Sequence, residues 1–185
     1  IRFREAVIAS LRIGLRNDCQ IGPGAKATDD RFGRRRSIDR FQFTALKGQK
    51  LVFETHARRL VPYLADAVPG WFQATLALYD ADGNELAFED DYRFHPDPVL
   101  FFKVPEDGQY VVEIKDAIYR GRPDFVYRIA IGEIPFVTGI FPLGGPAGKQ
   151  TTVELTGWNL PVDKLTMDAR DKSPGIHPLS VRRGG

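Results

Sequence analysis

The sequence predicts an all-β chain folded as an antiparallel sandwich or barrel. Short apolar or alternating runs recur at close spacing between Ile38 and Ile131. Glycine, proline and Asx turn signals separate them. No long stretch there keeps a helical period, which argues against alternating β and α units.

The elements follow in order. Ile38 to Phe43 ends in polar–apolar alternation, as a half-buried strand should. Lys47-Gly48-Gln49 turns the chain into a second strand, Lys50 to Thr55. Ala57 to Gly70 breaks the rhythm, and Pro62 and Pro69 bracket a stretch with room for one or two helical turns. Strands are expected again at Phe72–Tyr79, Asn84–Glu89, Pro98–Val104, Gln109–Lys115 and Phe125–Ile131. The alternation implies that each sheet buries one face and wets the other. Between Tyr79 and Asn84, Asp80-Ala81-Asp82-Gly83 supplies a capping side chain and a glycine free to take positive φ. Leu76 and Leu78 are expected to share a face and to meet Leu86 and Phe88 across this hairpin. From Pro135 a new pattern starts, with strands at Phe136–Ile140 and Thr151–Leu155 around a Gly/Pro loop. After Leu160 the pattern thins, apart from Leu179 to Val181. An immunoglobulin-like sandwich takes about 100 residues. Only 51 remain from Pro135, so part of such a sandwich is expected.

Composition narrows the function classes. Hydrophobic content of 43% is enough for a core. No apolar run is long enough to span a bilayer. Ala6 to Leu11 is too short for a signal peptide. The chain opens on Ile1 and reads as a piece of something longer. The lone Cys19 forms no internal disulfide and has no evident partner base. Net charge is +2, with the basic excess concentrated before residue 41 and peaking at Arg34-Arg35-Arg36. That run lacks interleaved aromatics, so it reads as a solvated arm and not as a nucleic-acid footprint. Glu5 to Leu15 could form a short helix, although Gly14 interrupts it.

Ile38 to Ile131 resembles the bacterial pre-peptidase C-terminal domain. The resemblance is carried by an ordered set of phrases: Ile38–Phe43, Lys47-Gly48-Gln49 with Leu51-Val52-Phe53, Leu76–Ala87, Asp107–Val112 and Tyr127-Arg128-Ile129. It implies a jelly-roll-like β-sandwich, non-catalytic, carried by secreted bacterial proteases and other exported proteins. Pro135 to Leu160 resembles the start of an immunoglobulin-like TIG (IPT) module. Its carrying features are the strand Val137–Pro142, the loop Gly144–Gly148 and the strand Thr151–Leu160. The expected organisation is therefore an arm or linker at 1–36, a pre-peptidase C-terminal-like sandwich at 37–133, and a partial TIG/IPT-like module at 134–185. The first family usually carries an acidic turn ahead of its opening strand; residues 22–37 are Gly/Arg-rich instead.

Catalytic and metal-binding patterns are sparse. An EF-hand frame starting at Asp80 puts Gly83 at position 4 and Glu85 at position 6, where the glycine is required. Glu89, Asp90, Asp91 and Asp97 share a loop whose carboxylates repel unless solvated or bridged, so calcium is the one cation to consider. Relatives in bacterial collagenases bind calcium through an acidic N-terminal linker that this sequence lacks. His56, His95 and His177 show no zinc spacing, and no GxSxG elbow is present. Gly144–Lys149 mimics a phosphate loop, but the glycines are one residue too close and Gln150 stands where Ser or Thr is required. Trp71, Phe72, Tyr92, Phe94 and Tyr119 divide between packing and surface recognition. No catalytic or cofactor-binding residue is assigned, and metal ligands are left open.

The expectation is a non-catalytic accessory module of an exported bacterial protein, at the cell surface, in the periplasm or outside the cell. It would serve substrate targeting, adhesion or spacing. Its partners would be neighbouring domains and an extracellular protein or polysaccharide, not nucleic acid. A calcium-stabilised domain supporting a neighbouring enzyme is the alternative. Limited trypsin digestion should trim the basic arm and leave a stable core beginning after residue 36; a stable fragment retaining residues 10–30 would show the arm to be part of the module.

Overall fold

The computed structural model describes residues 38–60, 72–120 and 125–179. The arm at 1–36 with its expected helix, Cys19 and arginines, the turns at 63–68, Trp71 and residues 180–181 lie outside them. The chain divides into two compact units between Gly132 and Glu133.

The first unit is a two-sheet sandwich. Its strands are β1 (Ile38–Ala45), β2 (Lys50–His56), β3 (Ala74–Tyr79), β4 (Glu85–Glu89), β5 (Val99–Lys103), β6 (Gly108–Asp116) and β7 (Arg128–Gly132). One sheet runs β1-β6-β3-β4 and the other β5-β2-β7, with every pairing antiparallel. Among the described strands of this unit, only β3 and β4 form a hairpin within a sheet; every other pair of consecutive strands lies in opposite sheets, as in a jelly roll. Crossing connections bring residues far apart in sequence face to face. Phe43 and Tyr110 from the first sheet meet Phe53 and Phe102 from the second at centroid distances of 5.8 and 5.9 Å. Leu51, Leu76, Leu78, Leu100, Val112 and Ile114 complete the buried centre. Such interdigitation excludes water and carries most of the stabilisation.

The turns follow their chemistry. Gly48 takes φ +88°, and its N–H donates to Val104 O at 2.8 Å. Lys47 N–H donates to Asp107 Oδ1 at 2.6 Å, tying the β1–β2 turn to the β5–β6 loop. At the opposite end of the sandwich, Tyr127 donates its hydroxyl to the Asp39 carboxylate. Phe125 to Tyr127 precede β7 as loop and not as strand, with Phe125 stacked on Phe72 at 5.0 Å.

Two expectations need correction. β3 is buried on both faces from Ala74 to Leu78, so it has no wet side. The hairpin register also differs. Leu78 pairs with Ala87 but Tyr79 pairs with Glu85, so a bulge at Leu86 absorbs one residue. The bulge changes the phase of β4. Leu76 and Leu78 are fully buried, whereas Leu86 is 38% and Phe88 47% exposed. Phe88 lies opposite Ala77 and shares its outward face.

The second unit contains a three-stranded antiparallel sheet, β10-β9-β8, from β8 (Phe136–Phe141), β9 (Gln150–Trp158) and β10 (Lys164–Asp168). Strand β10 was not expected, because Leu165 and Met167 are its only apolar residues. They pair with Val153 and Thr151 of β9. Gly157 sits where any Cβ would overlap Phe136 O, at the β8 bulge. A bulge and a side-chain-free partner occupy the same point, which lets the backbones approach.

The register makes a direct prediction. Leu76→Ala should cost about 2–5 kcal/mol in urea unfolding, and Leu86→Ala no more than about 0.5 kcal/mol. Equal losses would mean that the bulge does not turn Leu86 outward.

Candidate functional site

Two of the acids considered for metal binding, Asp80 and Asp97, serve the backbone. Asp80 Oδ1 accepts the N–H of Asp82 at 3.0 Å and of Asn84 at 2.8 Å. Its Oδ2 accepts Asn84 Nδ2 at 2.8 Å. Gly83, at φ +87°, donates its N–H to Asp80 O and closes the turn. The Asn84 side chain, then the amides, hold the Asp80 carboxyl below its ordinary value. Asp97 is buried at 2% exposure. It accepts the backbone N–H groups of Arg58 and Arg59 and the Arg59 Nε at 2.6, 3.1 and 3.2 Å, capping the 3-10 turn Arg58–Leu60. Glu89, Asp90 and Asp91 stay exposed, and burial together with the other two charges raises the Glu89 carboxyl above its usual value. Among the described residues, no three His, Cys, Asp or Glu side chains are grouped to hold a metal ion.

The histidines are engaged locally. His56 Nε2 lies 3.2 Å from Glu54 Oε1. His177 Nε2 lies 2.8 Å from Ser173 O. His95 exchanges two backbone hydrogen bonds with Tyr92. The loop Gly144–Lys149 joins the second unit's own backbone: Gly148 N–H donates to Ala169 O, and Ala169 N–H to Lys149 O.

The aromatics separate by role. Phe72 is core, stacked on Phe125 and near Tyr127. Tyr92 meets Phe101 edge-on at 6.1 Å. Phe94 is fully exposed, and Tyr119 is 67% exposed. Tyr119 joins a surface that sequence reading missed. Across the outer face of the first sheet, Arg40 lies opposite Glu113, Glu113 opposite Ala77, and Ala77 opposite Phe88. One row of side chains therefore crosses all four strands. Arg40 donates to Glu113 Oε2 from Nε at 2.7 Å and Nη2 at 2.6 Å, and Lys115 Nζ donates to Oε1 at 3.0 Å. Each cation also covers an aromatic ring. Arg40 Cζ is 5.9 Å from the Tyr79 centroid, and Lys115 Nζ is 5.3 Å from that of Tyr119. Ala77 and Glu113 are buried at the middle of the row, so the accessible aromatic surface is Phe88 and Tyr119 with half-buried Tyr79, beside two cations whose charge a single carboxylate shares. Such a face suits contact with an extended polymer through stacking, apolar contact and directional polar bonds.

A second buried acid positions Tyr119. Asp116 Oδ1 accepts the Gln73 N–H at 3.0 Å and Arg120 Nη2 at 2.9 Å. Its Oδ2 accepts the Arg120 N–H at 3.1 Å and Nε at 2.9 Å. The Tyr119 N–H donates to Asp116 O at 2.9 Å. This bracket holds Tyr119 at φ +58°, a conformation that costs a non-glycine residue free energy and needs support from its surroundings.

No protein-family model matches the chain. A relative exists. It is a probable subtilase-type serine protease of Deinococcus radiodurans, 37% identical over 83 residues. The match covers 45% of this chain and 10% of that protein, so the chain spans only a small part of its relative's length.

Acid should loosen the bracket. Burial pushes the Asp116 carboxyl up, but Arg120 and the Gln73 and Arg120 amides outweigh it, leaving it below 3.8. Burial likewise opposes Lys115 and Arg40 at Glu113, and the net direction is again down, below 4.5. Both folded values lie below the unfolded ones. Their stabilisation is therefore complete above about pH 5 and is lost as pH falls through the folded values. Asp116→Asn should lose about 2 kcal/mol at neutral pH and show a flatter acid limb in urea unfolding. An unchanged acid slope would exclude Asp116 as its source.

Proposed function

We propose that the chain is a non-catalytic accessory region of an exported, protease-bearing bacterial protein, and that it recognises a polymeric partner on the outer face of its first sheet. The observation that carries this reading is the accessible set Arg40, Phe88 and Tyr119 with half-buried Tyr79, aligned across the sheet by the buried Glu113 and Ala77 between them. Its aromatic groups stand on paired strands and a braced turn, so little side-chain freedom is left to lose on binding. The partial match to a subtilase-type protease supports the protease context and an exported home. The resemblance of residues 38–131 to pre-peptidase C-terminal domains supports the same assignment. The resemblance of residues 135–160 to a TIG module supports a modular chain in which this region lies among neighbouring domains. Local use of the acids and histidines supports a role without bond-breaking chemistry.

Substrate targeting is the role this surface suits best. The ligand would be an extracellular protein or polysaccharide carried towards a neighbouring protease. Co-sedimentation with insoluble protein and polysaccharide matrices tests it. The chain should be retained by at least one matrix. A Phe88→Ala, Tyr119→Ala variant with an unchanged melting temperature should lose about tenfold or more of that retention. Retention that survives the double substitution would move the site off this face.

A further inference from the structure

Among the strands at the margins of the sandwich, β4 stands apart. β1, β5 and β7 each bury at least one residue, whereas four of the five β4 residues are exposed and the fifth is half-buried. β4 ends its sheet, and among the described residues no strand pairs with its outer edge. The backbone N–H and C=O groups not directed at β3 therefore face outward, a template for one more strand. Leu86 and Phe88 add 38% and 47% exposed apolar side chains to this edge.

The charge along the edge selects the occupant. Between Asn84 and Tyr92 stand Glu85, Glu89, Asp90 and Asp91, with no lysine or arginine. All four are exposed. A second copy of β4 would set these carboxylates against one another, which disfavours self-pairing. A lysine- or arginine-bearing strand would instead find acids at both ends of the edge and Phe88 between them. We infer that β4 is a docking edge for an extended basic polypeptide, which adds to the four-stranded sheet by main-chain hydrogen bonding. This rests on the recognition reading and supplies its ligand class. Backbone pairing would give affinity, and the acids would give preference for basic side chains.

The test uses the 185-residue chain and a synthetic peptide of alternating lysine and valine. Binding is followed by fluorescence anisotropy, and the contact is mapped by amide chemical-shift changes. Shifts should centre on Ala87–Asp90. The same peptide N-methylated at alternate residues should bind about tenfold or more weakly, because its backbone donors on one edge are gone. An alternating glutamate–valine peptide should not bind. Glu85→Lys with Glu89→Lys, both at exposed positions, should abolish that preference without lowering the melting temperature, because two lysines then balance Asp90 and Asp91. Equal binding of the N-methylated peptide, shifts centred away from β4, or no binding of the lysine–valine peptide would overturn the inference. If that peptide fails while a matrix is still retained through Phe88 and Tyr119, strand addition falls and the recognition reading stands. If neither peptide nor matrix binds, both fall.

Discussion

Period-two alternation along β6 organises the first unit. β6 pairs with β1 on one side and β3 on the other, so its side chains stand at the middle of the sheet. Tyr110, Val112, Ile114 and Asp116 point one way and are buried. Val111, Glu113 and Lys115 point the other way, where Glu113 gathers Arg40 and Lys115. A slip of one residue would drive Glu113 and Lys115 into the core and turn Val112 and Ile114 into water. Core and outer face are therefore two consequences of one register.

Three acids with almost no solvent exposure strengthen that register: Asp97, Glu113 and Asp116. A carboxylate withdrawn from water is tolerated only when its oxygens are matched by donors. Asp97 caps a turn, Glu113 joins β1 to β6, and Asp116 ties the end of β6 to the start of β3. Each links segments that are distant in sequence or that cross between strands. Their polar bonds add positional specificity to an apolar core that does not itself distinguish neighbouring registers.

The same economy shapes the surface. Arg40 and Lys115 neutralise Glu113 and also lie over Tyr79 and Tyr119. The β4 edge beside them differs in kind, offering open backbone groups framed by acids. Cation-covered aromatic side chains and open backbone groups thus stand on adjoining parts of one sheet.

The sequence by itself determined the local features. Asp80 to Asn84, Lys47 to Gln49 and Asp107-Gly108 mark turns because their side chains and glycines act on backbone only a few residues away. The strands between them were legible because alternation is a property of consecutive residues, and together they indicated the all-β class. Of the candidate surface, Tyr119 was legible as an aromatic near a loop. Tyr79 and Phe88 were not, since uninterrupted alternation placed Phe88 in the core. Only tertiary structure decided that the Leu86 bulge turns it outward, that Asp97 serves backbone 38 and 39 positions away, and that Arg40 meets Glu113 across 73 positions. Those outcomes depend on which strands become neighbours and in what register. That choice is made by the summed packing of two sheets, and no single stretch of chain encodes it.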